Sequence, residues 1–305
     1  MQVGSYTVHT EKSLGVGGQG TVCEGIHKAT GERVAIKIME INDNTRCAFD
    51  SEYKAMNRLP PKTPNVCTTK DIIVKGNQGF LIMKQFNCDL FTYALEMRET
   101  PLPEKELNNL FIKICKGVRE LHRERVAHLD LKPENILINL ETMEPYICDF
   151  GASFTSSSPL KNGKQSRSSS QQIYGLGCRG TKQFMSPEMK DTPCAYDPFC
   201  SDIYSLGVIL HILLTLCYPV ISCGAVDVEC LRKTVSAGYC DLLSSLLCSA
   251  SSRISIDKVI LHPALTGATS NKGKISNVAK LAKQTAVNSS KLFNKFSSAT
   301  QQHKQ

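Results

Sequence analysis

No two of the fourteen cysteines are spaced as Cys-x-x-Cys; they are scattered singly along the chain. That spacing argues against a zinc site. A disulfide framework is equally unsuited to 305 residues whose first twelve are polar and carry no secretory signal. The cysteines are expected to be small buried thiols in a reducing compartment. The expected location is the cytoplasm, with nuclear access left open. A long uninterrupted apolar run is also missing. The longest, residues 204–221, is broken by Ser205, His211 and Pro219, so it reads as a buried core helix rather than a membrane span. Acidic residues are missing from the end: residues 264–305 contain no Asp or Glu but seven lysines. Seven of the +8 net charges therefore lie there, and the body is nearly neutral. Charge alone gives no clear case for nucleic acid. Apolar content of 41% and charged content of 21% describe a soluble globular protein, long enough for one large two-part domain or two ordinary ones.

What is present centres on residues 128–135, His-Leu-Asp-Leu-Lys-Pro-Glu-Asn. Six residues bring together a carboxylate, Asp130, an ammonium, Lys132, and a carboxamide, Asn135. An acid can take or orient a hydroxyl proton, a lysine can neutralise phosphoryl charge, and an amide oxygen can ligate Mg²⁺. Those are the parts of phosphoryl transfer, whose catalysis is mostly positioning and charge stabilisation.

Upstream, Gly15, Val16, Gly17, Gly18, Gln19 and Gly20 form Gly-x-Gly-x-x-Gly, which lets backbone approach phosphate oxygens. This pattern alone would equally suit a dinucleotide fold. Here it leads into a strand, residues 21–27, then a turn at 29–32 and a strand at 33–39 containing Val34-Ala35-Ile36-Lys37. A lysine within an otherwise apolar strand is either a surface residue or a functional one. Phe49, Tyr53 and Met56 share one face of a following helix that carries Glu52. Strands are expected at 68–74 and 80–83. A long helix over 103–124 is expected to bury Leu107, Leu110, Phe111, Ile114, Val118 and Leu121. Ile147-Cys148-Asp149-Phe150-Gly151 follows Asn135 by a short interval. Residues 152–182 are polar and serine-rich, which leaves little surface to bury. Gly180-Thr181, Ser186-Pro187-Glu188, Asp202 and Arg253 complete the series.

Together these motifs, in this order over about residues 6–265, resemble the eukaryotic protein kinase family. The resemblance implies an α+β, two-lobed protein-kinase fold. An antiparallel β-sheet small lobe would span residues 1–86 and a mainly helical large lobe 87–266, followed by a basic tail, 267–305. It implies ATP and Mg²⁺ as cofactors and protein substrates with serine or threonine acceptors. Asp130 would take the substrate hydroxyl's proton, Lys132 would stabilise the moving phosphoryl group, and Thr181 would bridge the two. Lys37 would pair the phosphates, held by Glu52, and Asn135 and Asp149 would hold metal. Val22, Ala35 and Leu137 would enclose adenine, with Met83 behind it. Lys84, Gln85 and Phe86 would form the hinge. Arg253 would pair Glu188, and Asp202 would hold the catalytic loop. Lys132 and Thr181 point to the serine/threonine class.

Several positions depart from the family pattern. Leu129 stands where most regulated kinases have the arginine that meets a phosphate on the activation segment, and leucine cannot pair a phosphate. Activity is therefore expected not to depend on activation-segment phosphorylation in the usual way, unless Arg167, Arg179 or a partner supplies the charge. Lys84 replaces the usual acidic residue and would alter the pocket's electrostatics. The interval from Lys37 to Glu52 is short, and residues 218–239 leave little room for the usual substrate-docking helix. The basic tail is read as a solvated extension. Its alternative is an amphipathic helix for a regulatory partner such as calmodulin, for autoinhibition or for an anionic membrane. A monomer is expected. The rival from another class is a pseudokinase scaffold that binds ATP and partners without efficient transfer. Retention of Lys37, Asp130 and Asp149 argues against it. A kinase-fold enzyme acting on small molecules would usually lack the Glu188 and Arg253 pair.

Overall fold

Alternation along one strand decides the architecture of the first third of the chain. The computed structural model describes residues 1–98, 100–156, 176–190, 195–222, 225–227, 231–233 and 235–267. Six strands, β1 (Gln2–Val3), β2 (Tyr6–Gly17), β3 (Gly20–His27), β4 (Arg33–Glu40), β5 (Thr69–Lys75) and β6 (Gln78–Lys84), form an antiparallel sheet ordered β1-β2-β3-β4-β6-β5. In β4, Val34 and Ile36 face a cluster with Val3, Tyr6, Val8, Cys23, Phe80 and Ile82. The intervening Ala35, Lys37 and Met39 lie on the other face, because strand side chains alternate. There Met39 and Leu81 pack on Phe49 of helix α1 (Arg46–Arg58).

The glycine segment is a hairpin tip rather than a free loop. β2 runs through Gly17, which pairs with Gly20, so Gly18 and Gln19 form the two-residue turn. Gly20 has φ +144°, and an added Cβ would overlap the carbonyl oxygen of Ile38. Helix α1 departs from the expected face. Tyr53 is exposed and stacks on Phe49 at 6.1 Å, and Glu52 takes the buried position. A polar side chain displaces an aromatic one there because it has a charged partner across the site.

Short strand β7 (Cys88–Asp89) and a π-helical turn, Thr92–Glu96, lead to α2 (Glu104–Arg123). All six expected apolar residues of α2 are buried, along with Cys115 and Gly117. Strand β8 (Val126–Ala127), a 3₁₀ turn at Pro133–Asn135, β9 (Ile136–Asn139), β10 (Glu144–Ile147) and β11 (Phe154–Thr155) follow. β9 pairs with both β10 and β7, and β8 with β11. These pairings set the segments on either side of Asp130 and Asp149 beside one another.

Among the described residues the further helices are α3 (Pro187–Lys190), α4 (Pro198–Thr215), α5 (Ala237–Leu246), α6 (Ile256–Ile260) and α7 (Pro263–Thr266), with a ribbon of β12 (Ile221–Ser222) and β13 (Ala225–Val226). The apolar run at 204–221 is only partly helical. Helix α4 starts earlier, where the Asp197 carboxylate accepts from the Phe199 and Cys200 amides at 3.0 and 3.4 Å. It ends at Leu216, whose φ of +58° turns the chain away. By length and composition α4 could cross a membrane, but it is mostly buried inside the protein. The main core joins α2, α4 and α5, and it also takes in Ala55, Met56 and Leu59 from the end of α1. The serine-rich stretch from Ser157 to Ser170, Arg167 and the lysine-rich tail lie outside the described residues.

Candidate active site

Lys37 is set by the register of β4. It lies opposite Val22 on β3 and Leu81 on β6, and Ala35 lies opposite Met83. Directly paired residues project to the same side, so Val22, Ala35, Lys37 and Met83 share the sheet face that looks toward the second lobe. Lys37 Nζ donates to Glu52 Oε2 at 2.6 Å and to Asp149 Oδ1 at 2.9 Å. The short sequence interval to Glu52 does not prevent the pair, because the first two turns of α1 bring Glu52 under β4. Burial pulls the Lys37 pKa down, but Glu52 and then Asp149 outweigh it, and the ammonium ends above its ordinary value. Burial also raises the Glu52 carboxyl, against the pull of Lys37. Asp149 is pushed up by burial too, yet Lys37 dominates and leaves it below the ordinary carboxylate range.

Gln19, at the hairpin tip, bends into this cluster. Its Oε1 lies 3.3 Å from Lys37 Nζ, and a Cβ on Gly151 would overlap its carboxamide. Gly151 thus needs no side chain because Gln19 occupies that space. Gly15, Gly17, Gly18 and Val16 form the outer part of the tip, where Val16 is exposed. Leu137 on β9 pairs with Tyr146 and with Asp89, on the floor opposite the sheet. At the end of β6, Phe86 packs on Tyr146 at 4.7 Å between ring centres, and Lys84 Nζ sits over both rings. The Lys84 charge is therefore engaged by that aromatic pair.

Asp130 is buried at 8% exposure and held from several directions. Its Oδ1 accepts from the Thr181 amide at 2.7 Å, and its Oδ2 lies 3.2 Å from Asn135 Nδ2 and 3.3 Å from Lys132 Nζ. The Lys132 ammonium also donates to Thr181 Oγ1 at 2.9 Å. Thr181 does bridge the pair, but its hydroxyl serves Lys132 and its backbone N–H serves Asp130. The resemblance implied the hydroxyl for both. Gly180 comes so close that a Cβ would overlap the Leu129 carbonyl oxygen.

Buried Asp202 accepts from the His128 and Leu129 amides at 2.8 Å each and from His122 Nε2 at 2.9 Å. This fixes the loop from beneath. His128 ties the loop to the next segment: Nε2 bonds the Cys148 carbonyl at 2.9 Å and Nδ1 accepts from the Asp130 amide at 3.2 Å. Sequence reasoning gave His128 no role, since nothing in the octet tells which backbone groups it reaches. Arg179, named there as one source of charge for a phosphate, bonds backbone carbonyls.

Asn135 donates from Nδ2 to the Asp130 carbonyl at 2.8 Å, which leaves its Oδ1 as an acceptor. An amide oxygen and the carboxylate of Asp149 are hard oxygen donors of the kind Mg²⁺ takes alongside phosphate and water. Arg253 and Glu188 form a two-point ion pair at 2.5 and 3.1 Å.

The protein kinase domain model matches residues 8–265. Over 279 residues the chain is 25% identical to serine/threonine-protein kinase D2 of Homo sapiens, covering 85% of this chain and 30% of that protein. It is 28% identical to ribosomal protein S6 kinase 2 alpha of Xenopus laevis, covering 86% of this chain and 35% of that protein. With the protein of the same name from Gallus gallus it shares 29% identity over 84% of this chain and 34% of that one. The chain spans about a third of the length of these curated relatives.

Proposed function

The chain belongs to the protein kinase family, and from that premise we propose that it transfers the γ-phosphoryl group of Mg-ATP to serine or threonine hydroxyls of protein substrates. The observation that carries this reading is the support of Asp130. Its carboxylate is gripped by Thr181, Asn135 and Lys132, residues from two distant parts of the chain. A carboxylate so fixed can orient a substrate hydroxyl and accept its proton. Lys132, beside it, neutralises charge gathering on the phosphoryl oxygens. Lys37, anchored by Glu52, binds the phosphates of the nucleotide, and the Gly15–Gly20 hairpin covers them. Val22, Ala35, Met83 and Leu137 enclose the base, and the hinge backbone at Lys84–Phe86 bonds it. When bound at Asn135 and Asp149, Mg²⁺ supplies neutralisation of phosphate charge.

The reading includes a small lobe ending near Phe86, a large lobe ending near Thr266, and action as a monomer in the cytoplasm. The basic tail is the place for a regulatory partner, and a membrane or nucleic acid is not part of the proposal. The names of the relatives, serine/threonine-protein kinase D2 and ribosomal protein S6 kinase, support the acceptor class.

The test is transfer of labelled γ-phosphate to a generic protein substrate, unmodified chain against Asp130→Asn. The expected result is phosphoserine or phosphothreonine with the first, and a rate lower by about a hundredfold or more with the second. Equal rates would remove Asp130 from its central role, and Mg-ATP binding without transfer by either would replace this reading with the scaffold one.

A further inference from the structure

Two described stretches contain the ends of the segment at 152–182, which corresponds to the family's activation segment: residues 152–156 after Gly151, and 176–186 leading to α3. One side chain joins them. Arg179 Nε donates to the Leu176 carbonyl at 3.1 Å, and its Nη1 donates to the carbonyls of Ser153 at 3.1 Å and Ala152 at 3.4 Å. A planar guanidinium with donors in a fixed fork can serve carbonyls on two strands of chain at once, which a flexible ammonium does poorly.

The position of Arg179 makes this consequential. The next residue, Gly180, is pressed against the Leu129 carbonyl, and the one after, Thr181, gives its N–H to Asp130 Oδ1 at 2.7 Å. Displacement of Arg179 would therefore move the donor that fixes Asp130. Lys132 also holds Thr181, by its hydroxyl at 2.9 Å, whereas the apolar contacts of this region have less direction. Leu129 lies in an apolar cluster with Ala127, Met185, Met189 and Tyr196, against Phe154 and Leu176. Such packing holds the stretch down but does not set it along its length. Tyr196 Oη donates to the Gly177 carbonyl at 3.0 Å, which anchors the same end from the other side.

We propose that Arg179 is a positioning residue for Asp130: its guanidinium ties together the two ends of the activation segment and so holds the Thr181 amide on the Asp130 carboxylate. The consequence for catalysis rests on the kinase reading above; the structural coupling does not.

The experiment compares the full chain with its Arg179→Ala and Arg179→Lys variants, and with Asp130→Asn as the inactive control. The first readout is hydrogen exchange of the Thr181 amide, followed by NMR beside the amides of α2. The expected result for Arg179→Ala is faster exchange at Thr181, by about tenfold or more, as charge-assisted bonds are lost. The α2 amides should keep their protection. Arg179→Lys should fall between. The second readout is kinetic: kcat falls by about tenfold or more while the Kd for Mg-ATP, which depends on Lys37 and the hairpin, stays unchanged. Unaltered Thr181 exchange in a folded Arg179→Ala variant would overturn the proposal. Equal loss of protection at Thr181 and throughout α2 would also overturn it, as a purely structural role. If Arg179→Ala does not fold, Arg179→Lys decides: local loss at Thr181 supports the proposal and no loss refutes it. If Thr181 exchange responds as expected but the unmodified chain transfers no phosphate, the kinase reading fails and the coupling stands.

Discussion

Leu129 and Asp149 both adopt the left-handed backbone, with φ of +63° and +65°. For residues other than glycine that conformation costs about 1–2 kcal/mol, so each must be held by its surroundings. Leu129 is held by the Asp202 carboxylate on its amide and by burial of its side chain at 4% exposure. Leu129→Ala keeps the backbone but empties its place among Met185, Met189 and Tyr196. A loss of about 2–4 kcal/mol is expected in urea denaturation. A loss under about 0.5 kcal/mol would show that the cluster closes over the gap.

The three charges at Lys37 give a pH dependence with a definite sign. Lys37 is raised, so its contribution is present below its unfolded value and disappears as pH rises through its folded one. Asp149 is lowered, so it contributes above the ordinary carboxylate value and is lost as pH falls through its folded value. Glu52 is raised, so its protonated form is favoured in the folded protein and its ionisation costs stability as pH rises. On acidification Glu52 therefore loses its charge before Asp149 does, and before an ordinary glutamate at about 4.3. Nucleotide affinity should weaken along an acid limb set by Glu52. In Glu52→Gln that limb should vanish and leave only a fall at lower pH. Equilibrium binding of a fluorescent ATP analogue across the acid range measures it; identical profiles for the two proteins would refute the assignment.

At the scale of elements, helix α4 connects the main core to the loop that carries Asp130. Its N-cap is Asp197, followed by Pro198, yet its importance to the site comes from Asp202, one turn inside, which meets the backbone of the loop that carries Asp130. Removing this acceptor leaves the His128 and Leu129 amides buried without a partner, at about 1–3 kcal/mol for each group. Asp202→Ala should thus lower stability by about 2–5 kcal/mol and reduce kcat more than it changes the Kd for Mg-ATP. A folded variant with unimpaired turnover would show that the loop holds its shape unaided. The long helix α2 was readable from its 3.6-residue apolar period, because all of its buried face packs in one core. The face of α1 departs from its apolar period at Tyr53 for the opposite reason: the residue buried there, Glu52, is polar and is drawn in by Lys37. A hydrophobic pattern carries no sign of a partner on another strand.

At the scale of the molecule, Glu188 and Arg253 join α3 to the stretch before α6, 65 residues apart. The Arg253 side chain is fully buried, donates also to the carbonyls of Cys200 at 2.9 Å and Cys248 at 2.7 Å, and lies over the Tyr204 ring. Arg253→Ala would leave a carboxylate and two carbonyls without their donor. A loss of about 3–5 kcal/mol is expected in chemical denaturation. A change below about 1 kcal/mol would place the pair among ordinary surface bridges.

Sequence alone determined the order and chemistry of the motifs, since each depends on residue types at short fixed spacing. It also determined the sheet faces, since strand alternation fixes side-chain direction locally. What only the tertiary structure decided is the atomic form of the contacts between motifs far apart in sequence: Glu52 on Lys37, a pair the family resemblance implies, the Thr181 amide on Asp130, His128 on the Cys148 carbonyl, and Arg179 across both ends of its segment. Three of these four end on a backbone group, and every residue has the same backbone groups. Which one a side chain meets is set by the packing of the whole chain and leaves no mark in the local sequence.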